Sequence, residues 1–315
     1  MASVVGRYVA AGRRSRPKEM PRYKVWLMAS RPRTLPAAAA PVLLGTGLAL
    51  GDGGMRIWPA LAALMGALLI QIGTNLANDY YDHVRGGDSE DRVGPVRATQ
   101  AGLLPPKTVR NAAFFVLGLA LLIGFYLVDI GGMPILIIGI ASLLCAVAYT
   151  GGPFPLAYHG LGDVFVFVFF GLVAVGGTYW VQTLAFGPEV LLAGAGMGAL
   201  ATAILVVNNL RDLETDARAG KRTLAVRLGM LGTKVEFGFL VVLAFSVPAI
   251  GNGAFGWSPW TWITLLAAAL LFRPLSSVLA YSPRKDPRTL IPALGRTAQA
   301  AGLYGLLLGA TLALG

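Results

Sequence analysis

Long, nearly unbroken runs of apolar residues constrain the fold of this 315-residue chain more than any other feature. The chain is 56% hydrophobic and only 13% charged, whereas soluble domains have about 25% charged residues. A helix needs about 20 consecutive apolar residues to cross a bilayer core. Backbone groups in lipid must pair internally, which leaves helices or a closed barrel. Because the runs are continuous rather than alternating, they predict an all-α polytopic membrane protein.

The apolar runs predict nine transmembrane helices. The predicted spans are 35–51, 57–77, 111–129, 132–149, 161–182, 189–207, 235–252, 258–280 and 296–314.

The positive charges are distributed unevenly between the loops. Of the 26 lysines and arginines, 23 lie in four segments that nine spans would place on one side of the membrane. Loops near 130, 185 and 255, on the opposite side, contain neither residue. Since cytoplasmic loops carry an excess of Lys and Arg, this pattern predicts a cytoplasmic N-terminus. The four basic segments are 1–34, 78–110, 208–234 and 283–289.

The net charge of +11 does not indicate nucleic-acid binding, because the cations occupy loops where topology requires them. Residues 1–24 are basic and have no long apolar core, so they predict a cytoplasmic tail near anionic lipid headgroups rather than a secretory signal peptide. Residues 25–315 then form a single nine-helix domain in the cell membrane.

Two of the basic loops begin with matching rows of polar residues. Asn78 and Asp82 are four residues apart, as are Asn208 and Asp212, and Asp216 continues the second row. Side chains at this spacing lie on one face of a helix. Each row therefore projects an amide and carboxylates from the cytoplasmic end of a span. The two rows are 130 residues apart, which indicates an internal repeat.

The first loop departs from strict repetition. Gly86 stands where a third member of the row is expected, and Asp88 and Asp91 follow it. We expect the acidic row to bend at this glycine, so that Asp88 replaces the missing carboxylate.

Facing carboxylates repel each other unless a cation neutralises them. Mg²⁺ prefers carboxylates together with substrate phosphate oxygens, and nearby Arg and Lys side chains suit phosphate. The rows therefore predict a metal–diphosphate site, although loop charges that only set topology remain the alternative. The candidate metal ligands are Asn78, Asp79, Asp82, Asp88, Asp91, Asn208, Asp212 and Asp216. The candidate diphosphate ligands are Arg85, Arg92, Arg97, Arg211, Lys221 and Arg222.

A third loop, "AYTGGPFPLAYHGLGD" at 148–163, is rich in glycine and proline, which predicts turns at the membrane face. Tyr149 lies at the end of the fourth predicted span. It is either an interfacial aromatic anchor or an aromatic face beside a developing carbocation.

These segments together resemble the UbiA superfamily of intramembrane prenyltransferases, over nearly the whole chain from about Trp26. The Asn/Asp rows are typical of the superfamily. The "RPRTLPAA" opening, the "GGDSEDR" continuation and Gly86 resemble the branch that prenylates 1,4-dihydroxy-2-naphthoate. The resemblance is carried by 26–46, 75–92, 149–163 and 208–229.

The resemblance implies a nine-helix bundle around a central cavity that opens laterally to lipid. It implies Mg²⁺, a polyprenyl diphosphate donor and an aromatic acceptor that loses CO₂ to give demethylmenaquinone. Asp82 and Asp88 would hold one Mg²⁺, and Asp212 and Asp216 a second. The candidate catalytic residues are Asp82, Asp212 and Tyr149.

Other functions remain open at this point. Within the superfamily, a 4-hydroxybenzoate, haem or chlorophyll prenyltransferase is possible. An ion-coupled transporter also uses repeats and carboxylates, but transporter sites lie near the membrane midplane, whereas these carboxylates cluster at one face. A CDP-alcohol phosphotransferase would need one continuous Asp-rich signature, which the sequence does not contain.

Overall fold

The computed structural model describes residues 20–86, 93–94 and 96–315. Regular structure in these ranges is entirely helical, which confirms the predicted all-α class. Short 3₁₀ turns precede α2, α5 and α10, and α9 begins as a 3₁₀ helix. The helices are α1 (Arg22–Ala29), α2 (Leu35–Gly51), α3 (Ile57–Val84), α4 (Pro106–Ala148), α5 (Gly162–Thr183), α6 (Pro188–Arg211), α7 (Leu213–Arg218), α8 (Leu224–Phe255), α9 (Pro259–Leu279) and α10 (Ile291–Ala313).

Seven helical stretches in the described ranges are long and apolar enough to cross a membrane. They are α1 joined to α2, then α3, α4, α5, α6, α8 and α9. Two of the nine predicted spans correspond to the two parts of α4, and the ninth corresponds to α10, which is not among the seven. Of the predicted N-terminal tail, residues 1–19 lie outside the described ranges, and α1 already begins at Arg22.

The long helix α4 is two helices that fold back on each other. As one straight helix its 43 residues would be about 65 Å long, twice a bilayer core. Gly132 interrupts it with a φ of 66°, in the left-handed region that favours glycine. Both ends of α4 reach the same turn of α3: Val109 clusters with Ala77, and Thr150 donates a hydrogen bond to Asn78. The chain must therefore reverse direction at Gly132.

Small residues let α2 and α10 approach closely. A Cβ atom built on Gly47 would lie 2.2 Å from the carbonyl oxygen of Gly309, and one on Gly51 would lie 2.2 Å from that of Leu312. Such close backbone packing is how transmembrane helices associate without a hydrophobic driving force. Against this pair packs α6, the most enclosed helix, whose C-terminal end carries Asn208 and Arg211 into the interior.

The Gly47–Gly309 approach can be tested by adding one methyl group. Gly47→Ala should lower the apparent melting temperature in detergent, because the methyl group overpacks the α2–α10 contact at a cost of about 1–3 kcal/mol. Gly238→Ala is the matched control, since a Cβ there meets nothing within 4 Å. Equal melting temperatures for the two variants would contradict this packing.

Candidate active site

A cavity of about 2010 Å³ lies between the helices. This exceeds the roughly 300–1,000 Å³ of ordinary small-molecule pockets. Most of its wall is apolar and comes from α2, α4, α5 and α10, whereas one end is polar. Both predicted rows contribute to that polar end. Its polar and charged residues include Asn78, Asp82, Arg97, Thr150, Asp163, Asn208, Arg211, Asp212, Asp216 and Lys221.

Asp82, near the C-terminal end of α3, is held by donors from two loops. Its side chain is almost fully enclosed, with 4% of the residue exposed. Arg97 forms an ion pair with Oδ2 at 2.6 Å, and the hydroxyl of Tyr158 donates to Oδ1 at 2.9 Å. A charged group buried in this way needs such partners, because an unpaired buried charge is strongly destabilising.

Asp79, three residues before Asp82, contacts the backbone of the loop rather than the Arg97 side chain. The backbone amides of Ala98 and Thr99 donate to its two carboxylate oxygens at 3.0 and 3.3 Å, and the Thr99 hydroxyl donates to one of the same oxygens. Asp79 does not line the cavity. Its carboxylate therefore anchors the loop that carries Arg97.

Asn78 joins that loop to the start of the third loop. Its backbone carbonyl accepts a hydrogen bond from Arg97 at 3.1 Å, and its side-chain oxygen accepts one from the Thr150 hydroxyl at 2.8 Å. The first row is thus fixed by contacts on both sides.

The second row carries its own cation. Arg211 donates from Nε and Nη2 to the two oxygens of Asp212 at 2.7 and 2.5 Å, and from Nη2 to the side-chain oxygen of Asn208 at 2.8 Å. A two-pronged contact of this kind fixes the carboxylate more firmly than a single hydrogen bond does. Asp216 lies beyond, with Lys221 at 3.7 Å.

Tyr158 connects the two halves of the site. Its hydroxyl bonds to Asp82 of the first row, while Lys221 of the second row lies 5.4 Å from its ring centroid. Burial and the nearby charge of Asp82 raise the pKa of Tyr158, although Arg97 and Arg85 oppose the shift. The phenol therefore stays neutral and keeps the proton that it donates.

Tyr149 lies just beyond α4 and lines the cavity. Burial, with the charges of Asp163, Asp82 and Asp216, raises the pKa of Tyr149. Its ring therefore stays a neutral aromatic surface beside the two rows.

Two predicted cations do not enter the cavity. Arg85 is exposed, donates to the carbonyl of Gly152 and lies 5.7 Å from the ring of Tyr158. Arg222 is also exposed, and its backbone amide donates to Tyr158 at 3.0 Å. The predicted ligands that lie outside the described ranges are Asp88, Asp91 and Arg92.

The donor set is compatible with Mg²⁺. In the described ranges no three His, Cys, Asp or Glu side chains converge as a ready-made metal cage. Mg²⁺ is usually held by only one or two carboxylates, with waters and substrate phosphates completing the shell. Carboxylate and amide oxygens on both walls of one cavity fit that requirement.

Three residues of this site were not singled out by the sequence pattern. Thr150, Tyr158 and Asp163 all belong to the glycine- and proline-rich third loop, 148–163. Their positions depend on loop turns, so no helical spacing identifies them. The only signal was the concentration of polar residues among turn residues in that loop.

Comparison with known proteins agrees with this geometry. The model of the UbiA prenyltransferase family matches residues 38–298. A Mycobacterium tuberculosis relative named 1,4-dihydroxy-2-naphthoate octaprenyltransferase is 40% identical, with 94% of this chain and 99% of the relative covered. An Escherichia coli relative of the same name is 38% identical, with 92% and 95% covered.

Solved structures share the fold at low sequence identity. A UbiA homologue from Archaeoglobus fulgidus, described as bound to GPP and Mg²⁺, superposes with a TM-score of 0.59 at 15% identity. The match covers 90% of this chain and 99% of the homologue. The family match and these relatives confirm the resemblance found in the sequence: the chain belongs to the UbiA prenyltransferase family.

Proposed function

We propose that this protein transfers a polyprenyl group from polyprenyl diphosphate to 1,4-dihydroxy-2-naphthoate, releasing diphosphate and CO₂ and giving demethylmenaquinol, the reduced form of demethylmenaquinone. One observation carries the proposal: two Asn/Asp rows meet at the polar end of a large apolar cavity. The names of relatives 38–40% identical over more than 90% of the chain support the naphthoate acceptor over other aromatic acceptors.

Asp82, Asp212 and Asp216 would hold Mg²⁺ from the two walls of the cavity, with Asn78 and Asn208 completing the polar shell. Asp88 and Asp91 stay predicted ligands. When bound, Mg²⁺ stabilises negative charge on the diphosphate as its bond to the allylic carbon breaks. Asp79 has no place among the ligands in this proposal, because its oxygens already hold the Arg97 loop.

Arg97, Arg211 and Lys221 line the cavity and would stabilise the leaving diphosphate. Arg92 stays a predicted ligand of the same kind. Arg85 and Arg222 lie outside the cavity, so we assign them support of the third loop through Gly152 and Tyr158 instead.

The apolar part of the cavity would hold the isoprenoid chain and keep water away from the allylic cation. Tyr149 offers a neutral aromatic face at the boundary between the polar and apolar parts. A cavity inside a membrane domain suits this reaction because donor and product are both lipids.

The proposed topology has nine spans with the N-terminus in the cytoplasm and the site at the cytoplasmic face of the cell membrane. The reversal at Gly132 supports counting α4 as two spans. Counting α10, of 23 residues, as the ninth span agrees with the asymmetric distribution of Lys and Arg.

Asp82→Ala and Asp212→Ala should each lower turnover at least about 100-fold, since each removes an oxygen ligand and leaves an arginine without its partner. The assay is mass spectrometry of prenylated product from purified enzyme, Mg²⁺, prenyl diphosphate and naphthoate. Asp52→Ala is the matched control, because Asp52 pairs with Tyr179 and does not line the cavity. Near wild-type turnover in Asp82→Ala or in Asp212→Ala would contradict the proposed metal site.

Asp79→Ala should have a different effect. It removes the acceptor for the amides of Ala98 and Thr99, so unfolding should become easier by about 1–3 kcal/mol. The Mg²⁺ concentration that gives half-maximal turnover should not change. A thermal melt and an Mg²⁺ titration after chelator treatment separate the two roles. A raised Mg²⁺ requirement at unchanged stability would make Asp79 a ligand.

A further inference from the structure

Asp163, the second residue of α5, is a buried carboxylate that the proposed metal site does not use. It lines the cavity, yet only 4% of the residue is exposed. Its Oδ2 atom has no hydrogen-bond donor among the described residues. Its backbone is fixed by the preceding turn and by Thr202, whose hydroxyl lies 3.4 Å from the Asp163 carbonyl oxygen.

This lack of a donor distinguishes Asp163 from the other buried carboxylates around the cavity. Asp82 has Arg97 and Tyr158, and Asp212 has Arg211. An enclosed carboxylate oxygen without a donor is unfavourable, and proteins rarely keep one without a functional reason. A ligand in the cavity that carries a hydroxyl group would supply the missing donor.

The location of Asp163 suits the acceptor rather than the diphosphate. It is beside Tyr149: the Tyr149 hydroxyl packs against Gly162, 3.0 Å from where a Cβ atom would lie, and the charge of Asp163 acts on that phenol. No cation is paired with Asp163 in the described ranges, so a diphosphate would be repelled there. A neutral hydroxyl group would not be.

We propose that Asp163 binds a hydroxyl group of the aromatic acceptor and accepts its proton as the ring attacks the allylic carbon. This inference rests on the proposed prenyl transfer and names the residue that activates its acceptor. A hydroxyl group bound to a carboxylate donates electron density to the ring more readily, which makes the ring carbon a better nucleophile.

The step balances without any further reactant. The O–H bond breaks, its proton goes to the Asp163 carboxylate, and its electron pair stays on oxygen and delocalises into the ring. A ring carbon forms the new C–C bond to the allylic carbon, and the diphosphate leaves with the electron pair of the C–O bond. When CO₂ departs, its bonding pair returns to the ring, and the ring oxygen takes the proton back from Asp163.

Glu236, on α8, provides a matched comparison. It is another partly enclosed carboxyl group with an oxygen that lacks a donor in the described ranges, and the charge of Asp163 acts on it. Unlike Asp163, it does not line the cavity. Glu236→Gln therefore makes the same acid-to-amide change without reaching the acceptor.

The first measurement compares acceptor binding to wild-type protein with binding of the acceptor's two mono-methyl ethers, in Mg²⁺ and an unreactive prenyl thiodiphosphate. Loss of a hydroxyl donor to a carboxylate should weaken binding about 10- to 100-fold for one of the two ethers. In Asp163→Asn the free acceptor and that ether should bind with similar affinity. If both ethers bind wild-type protein as tightly as the free acceptor, the proposal is overturned, whatever the variant does.

The second measurement is turnover. Asp163→Asn should reduce kcat about 100-fold, because the amide cannot accept the proton, while affinity for the thiodiphosphate stays unchanged. Glu236→Gln should keep near wild-type kcat. If wild-type protein is active and Asp163→Asn has an undiminished kcat, this inference is overturned and the proposed function is not. If wild-type protein forms no prenylated product, the proposed function itself is overturned. Equal losses in both variants would also count against Asp163.

Discussion

The ion pair between Asp82 and Arg97 is the interaction on which the rest of the site depends. It brings a loop residue against the end of α3 at 2.6 Å, inside a region from which most water is excluded. Two further contacts make that position possible. Asp79 holds the backbone of the loop directly after Arg97, and the carbonyl of Asn78 accepts from the same guanidinium group. Asn78, Asp79 and Asp82, near the C-terminal end of α3, therefore together hold one conformation of this loop.

Tyr158 extends this arrangement to the second half of the molecule. Its hydroxyl donates to Asp82, and its carbonyl accepts a hydrogen bond from the amide of Arg222. Its ring centroid lies 5.7 Å from the guanidinium carbon of Arg85 and 5.4 Å from Nζ of Lys221. Each cation–ring contact is worth little at an exposed position. Together they tie the loop after α3, the third loop and the loop after α7 to one side chain, so the two rows keep a fixed relation across the cavity.

Continuous apolar runs were enough to predict the helical class, and helical spacing was enough to pair Asn78 with Asp82 near the end of α3. Spacing did not reveal that α6 ends at Arg211, so that Asp212 lies between two helices and Asp216 lies on α7. Nor did it show that the two rows line one cavity, which is seen only in the structure. The sequence did not show that Asp79 anchors a loop whereas Asp82 lines the cavity. Both lie near the end of α3, and only the contact of Asp79 with the amides of Ala98 and Thr99 distinguishes their roles. Nor could the sequence choose Arg97 over Arg85, or find Tyr158 and Asp163. Those positions follow from turns whose geometry no short pattern encodes.

The charge balance of the rows explains why donor and metal should bind together. Asp82, Asp212 and Asp216 each have their own cation, Arg97, Arg211 and Lys221. A diphosphate that drew those cations to itself would leave three carboxylates facing one another in a poorly solvated cavity, which is strongly unfavourable. In the proposed site, Asp82, Asp212 and Asp216 would hold Mg²⁺, and the cations that now pair with them would then be free to stabilise the diphosphate. No cation in the described ranges is paired with Asp163, so in the proposed reaction it would remain available to a neutral hydroxyl group while the rows are occupied.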